Sequence, residues 1–171
     1  RSVDDFEGLL RSGADKVAVN TEATRKPELI QELARRFGSQ SVVLSVEALQ
    51  TSPGKWEAMT DNGRERSGRD VLEWVVEATA RGAGEVLVTS IDREGTRSGF
   101  DVELMDAVAN VVSTPVIASG GMGTVNDLVS VARSTDVTGI AMADVLHFGR
   151  FSVQDIRTEA RLAGLDVRDY E

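Results

Sequence analysis

GADKVAVNT (residues 13–21) and GAGEVLVTS (residues 82–90) share one design, and that design decides the fold. Each opens on a Gly-Ala turn, passes a charged position (Lys16 or Glu85), runs through an apolar stretch and ends on a hydroxyl residue that begins a polar loop. Short apolar runs of this kind, bounded by turn residues, read as buried strands. The flanking sequence alternates with them. Upstream, residues 3–12 read as a helix ending at Gly13. Between the two heads, PELIQELARRF (27–37) reads as a helix with Pro27 in its first turn and Gly38 past its end. SVVLSVEA (41–48) reads as a strand. KWEAMTDNGRERS (55–67) reads as a hairpin, since Asp61-Asn62-Gly63 supplies residues that tolerate positive φ. RDVLEWVVEATAR (69–81) is a helix stopped by Gly82, in which Trp74 falls on the apolar face with Leu72 and Val75 as a core residue. Downstream, helix 101–112 precedes strand PVIAS (115–119), and helix 126–133 follows with Thr124 as N-cap and Asp127 three residues on. GIAMA (139–143) is the last strand, and 152–163 the last helix, with Ser152 as cap and Gly164 after it.

Apolar strands each separated by a helix indicate an α/β fold with a parallel sheet. Five such strands suit either an open doubly wound sheet or a (βα)₈ barrel. Polar residues decide between them: Asn20, Glu47, Ser90 and Ser119 all fall at or just beyond C-terminal strand ends, the active-site side of a barrel. The expected architecture is one domain over 1–171, an incomplete TIM barrel of about five parallel strands.

Composition excludes several function classes. Nineteen Lys and Arg against 28 Asp and Glu give a formal charge of −9, opposite to what a nucleic-acid partner or an anionic membrane surface requires. No apolar run approaches the roughly 20 residues of a membrane span, and no signal peptide is visible. The absence of Cys fits a reducing cytoplasm. With one His, a His-built metal site is not expected. The chain opens on Arg1 rather than Met, which predicts a processed or truncated product.

Candidate chemistry sits at the strand ends. ASGGMGT (118–124) is strand, glycine-rich turn and helix start, where free backbone N–H groups can hold a phosphate; the competing reading is a plain tight turn. Asn20-Thr21 is a second candidate anion contact, or only a strand end. Glu47 ends an apolar strand as a candidate general acid or base, or as the partner of a nearby cation. The loop SIDREGTRSGFD (90–101) concentrates charge and two glycines in a short connection. Asp92 or Glu94 can stand over a substrate while arginines hold the loop, or Asp92 can merely pair with Arg93 or Arg97. His147, among apolar residues, reads as a core or cap residue rather than a catalyst. Lys16 and Glu85, at equivalent strand starts, read as an ion pair closing the barrel bottom.

GADKVAVNTEA, GSQSVVLSVEA, the run from Trp74 through RGAGEVLVTSIDREGTRSGFD, PVIASGGMG and the final LHF together resemble the cyclase subunit of imidazole glycerol phosphate synthase. The resemblance covers essentially the whole chain. It implies a (βα)₈ barrel that takes ammonia from a glutamine amidotransferase partner. The substrate would be a bis-phosphorylated ribulosyl aminoimidazole carboxamide ribotide, yielding imidazole glycerol phosphate for histidine synthesis, without metal or organic cofactor. It implies Glu47 and Glu94 as catalytic acids, and Asn20 and Thr21 at one substrate phosphate. Gly120 and Gly121 fall at the other, with Gly95, Thr96, Ser119 and Asp144 in the same substrate-binding set. It implies Lys16 and Glu85 at an ammonia entrance and Asp15 facing the amidotransferase. The charged loop 90–101 becomes a substrate cover hinged at Gly95 and Gly99.

The chain also departs from the family pattern. It begins after the family's third strand, both retained acids are Glu where the family has Asp, and Asp144 stands where a phosphate-binding serine is usual. These departures motivate two alternatives: a paralogue amidating nucleotide-linked sugars, and a catalytically inactive truncated barrel that self-associates through open sheet edges.

Overall fold

The computed structural model describes residues 2–168; Arg1, on which the expectation of a processed start rests, lies outside them. Helix α1 (Val3–Arg11) leads into strand β1 (Val17–Val19), helices α2 (Thr21–Arg25) and α3 (Glu28–Phe37), and strand β2 (Val42–Ser52). Strands β3 (Lys55–Thr60) and β4 (Glu65–Asp70) follow, then α4 (Val71–Ala80), β5 (Glu85–Ser90), α5 (Val102–Val111) and β6 (Val116–Ser119). The chain continues through α6 (Val125–Ser134), β7 (Gly139–Ile140), α7 (Asp144–His147) and α8 (Val153–Leu162).

The five expected strands lie side by side and parallel in the order β1-β2-β5-β6-β7, and the sheet does not close on itself. Local chemistry sets most boundaries. Capping boxes at Ser2, Thr124 and Ser152 start α1, α6 and α8, and Asp70 caps α4 through the amides of Leu72 and Glu73. Asp61, Asn62 and Gly63 take φ values of 52°, 57° and 76° and turn β3 into β4 as expected.

Several boundaries differ from expectation: Arg69 and Asp70 end β4 instead of starting a helix, so α4 begins at Val71, and the one-turn helix α7 was not expected. Strand β2 runs on to Ser52 instead of ending at Ala48, because it enters a second hairpin with β3 through Pro53-Gly54. Helix α2 was not expected; it is five residues held between Asn20 and Pro27. The stretch 139–143 is strand only over Gly139–Ile140. Ala141 N still donates to Ala118 O at 2.8 Å, but β6 ends at Ser119 and offers no further partner.

Alternation sorts the sheet into two faces. Leu44, Val46, Ala48, Val86, Val88, Val116 and Ala118 are all buried on one face, with α3, α4 and α5 against it. Trp74, 1% exposed, is the largest side chain of that layer, in keeping with its reading as core. Truncating Leu44 to Ala there would cost about 2–5 kcal/mol. The other face carries Ser45, Glu47, Leu87, Thr89, Ile117 and Ser119, each only partly covered. Among the described residues no helix is long and apolar enough to cross a membrane.

Candidate functional site

At the C-terminal edge of the inner face, register aligns three polar residues on adjacent strands: Glu47 lies opposite Thr89, and Thr89 opposite Ser119. Asn20, at the end of β1, completes the row by donating from Nδ2 to Glu47 Oε2 at 3.1 Å and to Met59 O at 3.3 Å. Thr24 Oγ1 in turn donates to Asn20 O (3.1 Å) and Oδ1 (3.3 Å), so the Asn20 side chain is fixed at both ends. Its amide is thus spent on orienting Glu47. Glu47 contacts a neutral donor here, not the cation its alternative reading supposed. Thr21 Oγ1 accepts from Asp61 N at 3.0 Å, which ties the hairpin tip to the start of α2 and leaves the hydroxyl hydrogen for another acceptor.

The second half of the site is a cleft of about 150 Å³ lined by Glu94, Gly95 and Arg97 from the loop, by Ser119, Gly120 and Gly121, and by Asp144. Six expected site residues therefore meet in one place. The paired glycines have a steric cause as well. A Cβ on Gly121 would collide with the Gly99 carbonyl oxygen, and one on Gly120 would stand 2.8 Å from Ser90 O. Gly99 N donates to Gly121 O at 2.9 Å, so the loop is seated directly on the glycine turn. Glu94 Oε2 comes within 3.4 Å of the same Gly120 position, which puts a carboxylate beside the turn.

The start of α6 is not free for an anion. Asp127 Oδ2 accepts from Gly123 N (3.1 Å) and Thr124 N (2.8 Å), so the helix terminus already holds a carboxylate of its own. An anion in the cleft meets instead the Ser119 hydroxyl, the backbone of Gly95, Gly120 and Gly121, and Arg97.

The loop divides its labour residue by residue. Asp92 Oδ2 accepts from Gln50 N at 2.8 Å and anchors the loop to the end of β2; the expected pairing with Arg93 or Arg97 gives way to this bond. Arg93 Nη1 donates to Ser98 Oγ at 3.2 Å. Thr96 does not line the cleft: its hydroxyl donates to Arg93 O at 2.7 Å. Arg97 adopts φ of 57°, which costs a non-glycine residue about 1 kcal/mol. Strain of that kind is characteristic of functional loops.

Ser90, expected at the active-site edge, instead turns to the helix-covered face. It is fully buried, and its Oγ donates to Asp101 Oδ2 at 3.3 Å. Thr89 takes its place on the inner face. The strict alternation in EVLVTS contained that signal, since it puts Glu85, Leu87 and Thr89 together. At the opposite end of the sheet Lys16 Nζ and Glu85 Oε2 pair at 2.9 Å across β2, and Asp15 beside them is exposed. His147 is exposed in the last turn of α7 with its ring edge-on to Phe148 at 4.9 Å, and the C-cap of that helix is Phe148, so its reading as a core or cap residue is corrected. Among the described residues no group of three or more acids and His is placed to hold a metal ion.

Asp144 Oδ1 lies 3.3 Å from Arg150 Nε. The negative charge that Asp144 brings to the cleft is therefore partly cancelled within the protein.

Comparison with known proteins gives a consistent picture. The family model described as histidine biosynthesis protein matches residues 1–152. The chain is 46% identical over 168 residues to the imidazole glycerol phosphate synthase subunit HisF of Streptococcus sanguinis, covering 98% of this chain and 67% of that one. It is 48% identical over 173 residues to the protein of the same name from Beutenbergia cavernae, with the same coverage. With that of Legionella pneumophila it shares 65% identity over 123 residues, 72% of this chain and 58% of the relative. The chain thus spans about two thirds of the length of these relatives. Their shared name gives no support to nucleotide-sugar amidation or to an inactive barrel.

Proposed function

The chain belongs to the histidine biosynthesis protein family, among the cyclase subunits of imidazole glycerol phosphate synthase, and on that premise we propose that its concave sheet face carries out the cyclase reaction. Ammonia, delivered by a glutamine amidotransferase subunit, combines with a bis-phosphorylated ribulosyl aminoimidazole carboxamide ribotide. The products are imidazole glycerol phosphate and the released carboxamide ribotide.

The carrying observation is the pair of carboxylates at one edge of one face: Glu47, aimed by Asn20, and Glu94, set beside Gly120. When ammonia condenses with a carbonyl, a proton must reach the departing oxygen and others must leave the nitrogen. Two carboxyl groups in opposite protonation states supply that exchange. Asn20 acts by fixing the direction of the Glu47 oxygens, since small misalignments of a catalytic group are costly. Thr89 and Ser119, in the same row, are placed to hydrogen-bond the sugar hydroxyls between the two acids.

The two phosphates fit the two ends of that row. One meets the Thr21 hydroxyl, whose oxygen is already held by Asp61 N. The other enters the cleft of Gly120 and Gly121, where Arg97 supplies positive charge. The Lys16–Glu85 pair stands at the far end of the inner face, the side from which ammonia is to enter, and Asp15 faces the partner there.

The test is turnover of the bis-phosphorylated substrate by the protein with ammonium salt in place of partner and glutamine, both products being followed by chromatography. Formation of both products in equal amounts is expected. Product formation from a nucleotide-linked sugar, with none from the ribotide, would overturn the assignment.

A further inference from the structure

We propose that Arg150 makes the Gly120–Gly121 cleft usable by a phosphate: it neutralises Asp144, which would otherwise repel the anion. This inference rests on reading that cleft as a phosphate site. Asp144 is the first residue of α7 and lines the cleft with Gly120, Gly121 and Arg97.

Backbone geometry brings the arginine to it. Helix α7 is a single turn, and Gly149 just beyond it takes φ of 60°. Gly149 N donates to Leu146 O at 3.1 Å and Arg150 N to Val145 O at 2.9 Å, so the chain doubles back over its own helix. That reversal carries the Arg150 side chain toward the start of α7, where Nε lies 3.3 Å from Asp144 Oδ1. Oδ1 is buried, yet the contact lacks hydrogen-bond geometry. What Arg150 contributes to this oxygen is charge compensation rather than a directed bond. The guanidinium also lies 5.5 Å above the Phe148 ring, which holds it from a second side.

Charge balance gives the pair its purpose. The cleft is lined by two carboxylates, Glu94 and Asp144, and by one cation, Arg97. A phosphate monoester entering that lining meets a net negative wall unless Arg150 joins the sum and brings it to neutral. Like charges a few ångströms apart near a protein surface repel enough to change binding on the order of tenfold. The Arg150 and Asp144 side chains are 41% and 24% exposed, so the effect is partly screened and must shrink with added salt. The spacing D-V-L-H-F-G-R (144–150), with glycine directly before the arginine, is the sequence trace of this device.

The experiment measures inhibition by inorganic phosphate, and KM for the phosphorylated substrate, in the native protein and in Arg150→Gln, Arg150→Lys, Asp144→Ser and the double variant Asp144→Ser/Arg150→Gln. Arg150→Gln is expected to weaken phosphate inhibition and raise KM on the order of tenfold at low ionic strength, with the gap narrowing as salt is added. The loss falls on KM rather than kcat. Arg150→Lys keeps most of the phosphate binding, and Asp144→Ser in the Arg150→Gln background restores it. Phosphate inhibition indifferent to Arg150→Gln would overturn the proposal. So would a loss that Asp144→Ser does not rescue, or weakening by Asp144→Ser alone. If phosphate fails to inhibit the native protein at all, the reading of the cleft fails first and the role of Arg150 with it.

Discussion

At the N-terminal end of the sheet, Glu85 meets Lys16 at 2.9 Å across β2; at the C-terminal end of the same face, Glu47 takes a hydrogen bond from the neutral amide of Asn20 at 3.1 Å. The two carboxylates sit on neighbouring strands, four residues apart in register. Their partners separate their uses. A cation cancels the charge of Glu85, whereas a neutral donor fixes the direction of Glu47 without cancelling its charge. The first arrangement suits a structural gate, and the second suits proton transfer.

Replacing each carboxylate in turn strains that contrast most severely. Glu47→Gln is expected to lower ammonium-driven kcat by about 10²–10⁴-fold with substrate KM little changed. Glu85→Gln is expected to leave ammonium-driven turnover within a few fold and to lose, at most, about 1 kcal/mol of stability. Steady-state kinetics beside thermal melts check both, and equal losses of turnover from the two variants would erase the distinction between the ends.

Glycines at the two ends give the next largest effect. A Cβ on Gly84 would collide with the Ser39 carbonyl oxygen at the lower end, as one on Gly121 would with Gly99 at the upper. Gly84→Ala and Gly121→Ala are each expected to cost about 1–3 kcal/mol through overpacking, measured by denaturant unfolding. Gly121→Ala is the worse, since Gly121 also holds φ of 99°. Turnover per folded molecule should survive Gly84→Ala and collapse in Gly121→Ala, because only the latter displaces the loop that carries Glu94.

The smallest effect lies outside both ends. Burial would raise the Glu77 carboxyl, but hydrogen bonds from Arg69 (2.8 Å) and Arg81 (2.9 Å) outweigh it and hold the group below the usual glutamate range. A folded-state value below the unfolded one stabilises the protein above the unfolded value and is lost as pH falls through the folded one. Melting temperature should therefore decline below about pH 4.5, and Glu77→Gln should flatten that decline.

Legibility in the sequence followed the range of the forces involved. Caps and turns act within four residues, so Thr124 with Asp127, Ser152, and Asp61-Asn62-Gly63 were readable as written. Periodicity placed all five parallel strands. Features that depend on a distant partner were not readable. Strand β2 continues past Ala48 because β3 returns to it, and 141–143 leaves the sheet because β6 has ended. The site divides the same way. Glu47, Gly120 and Gly121 could be picked out by their positions at strand ends and Glu94 by the charge of its loop, while Asp144 stood out only through the family resemblance. Asn20 donating to Glu47, Arg97 lining the cleft and Arg150 reaching back to Asp144 are contacts made by tertiary structure. Simple alternation along β5 sets Thr89, not Ser90, on the face with Glu47.

Strand β2 is paired with β5 over residues 43–48 along one side, and along the other with β1 over 42–44 and with β3 from Glu47 on. In amide hydrogen exchange, its central amides are expected to open only with global unfolding, whereas those of the glycine-hinged loop at 93–99 open locally. On that expectation Glu47 is mounted on the slowest-exchanging strand and Glu94 on a loop that opens on its own. If the two act as the proposed acids, one would keep its place through every turnover while the other could withdraw to admit substrate and return, so the pair would run on different clocks.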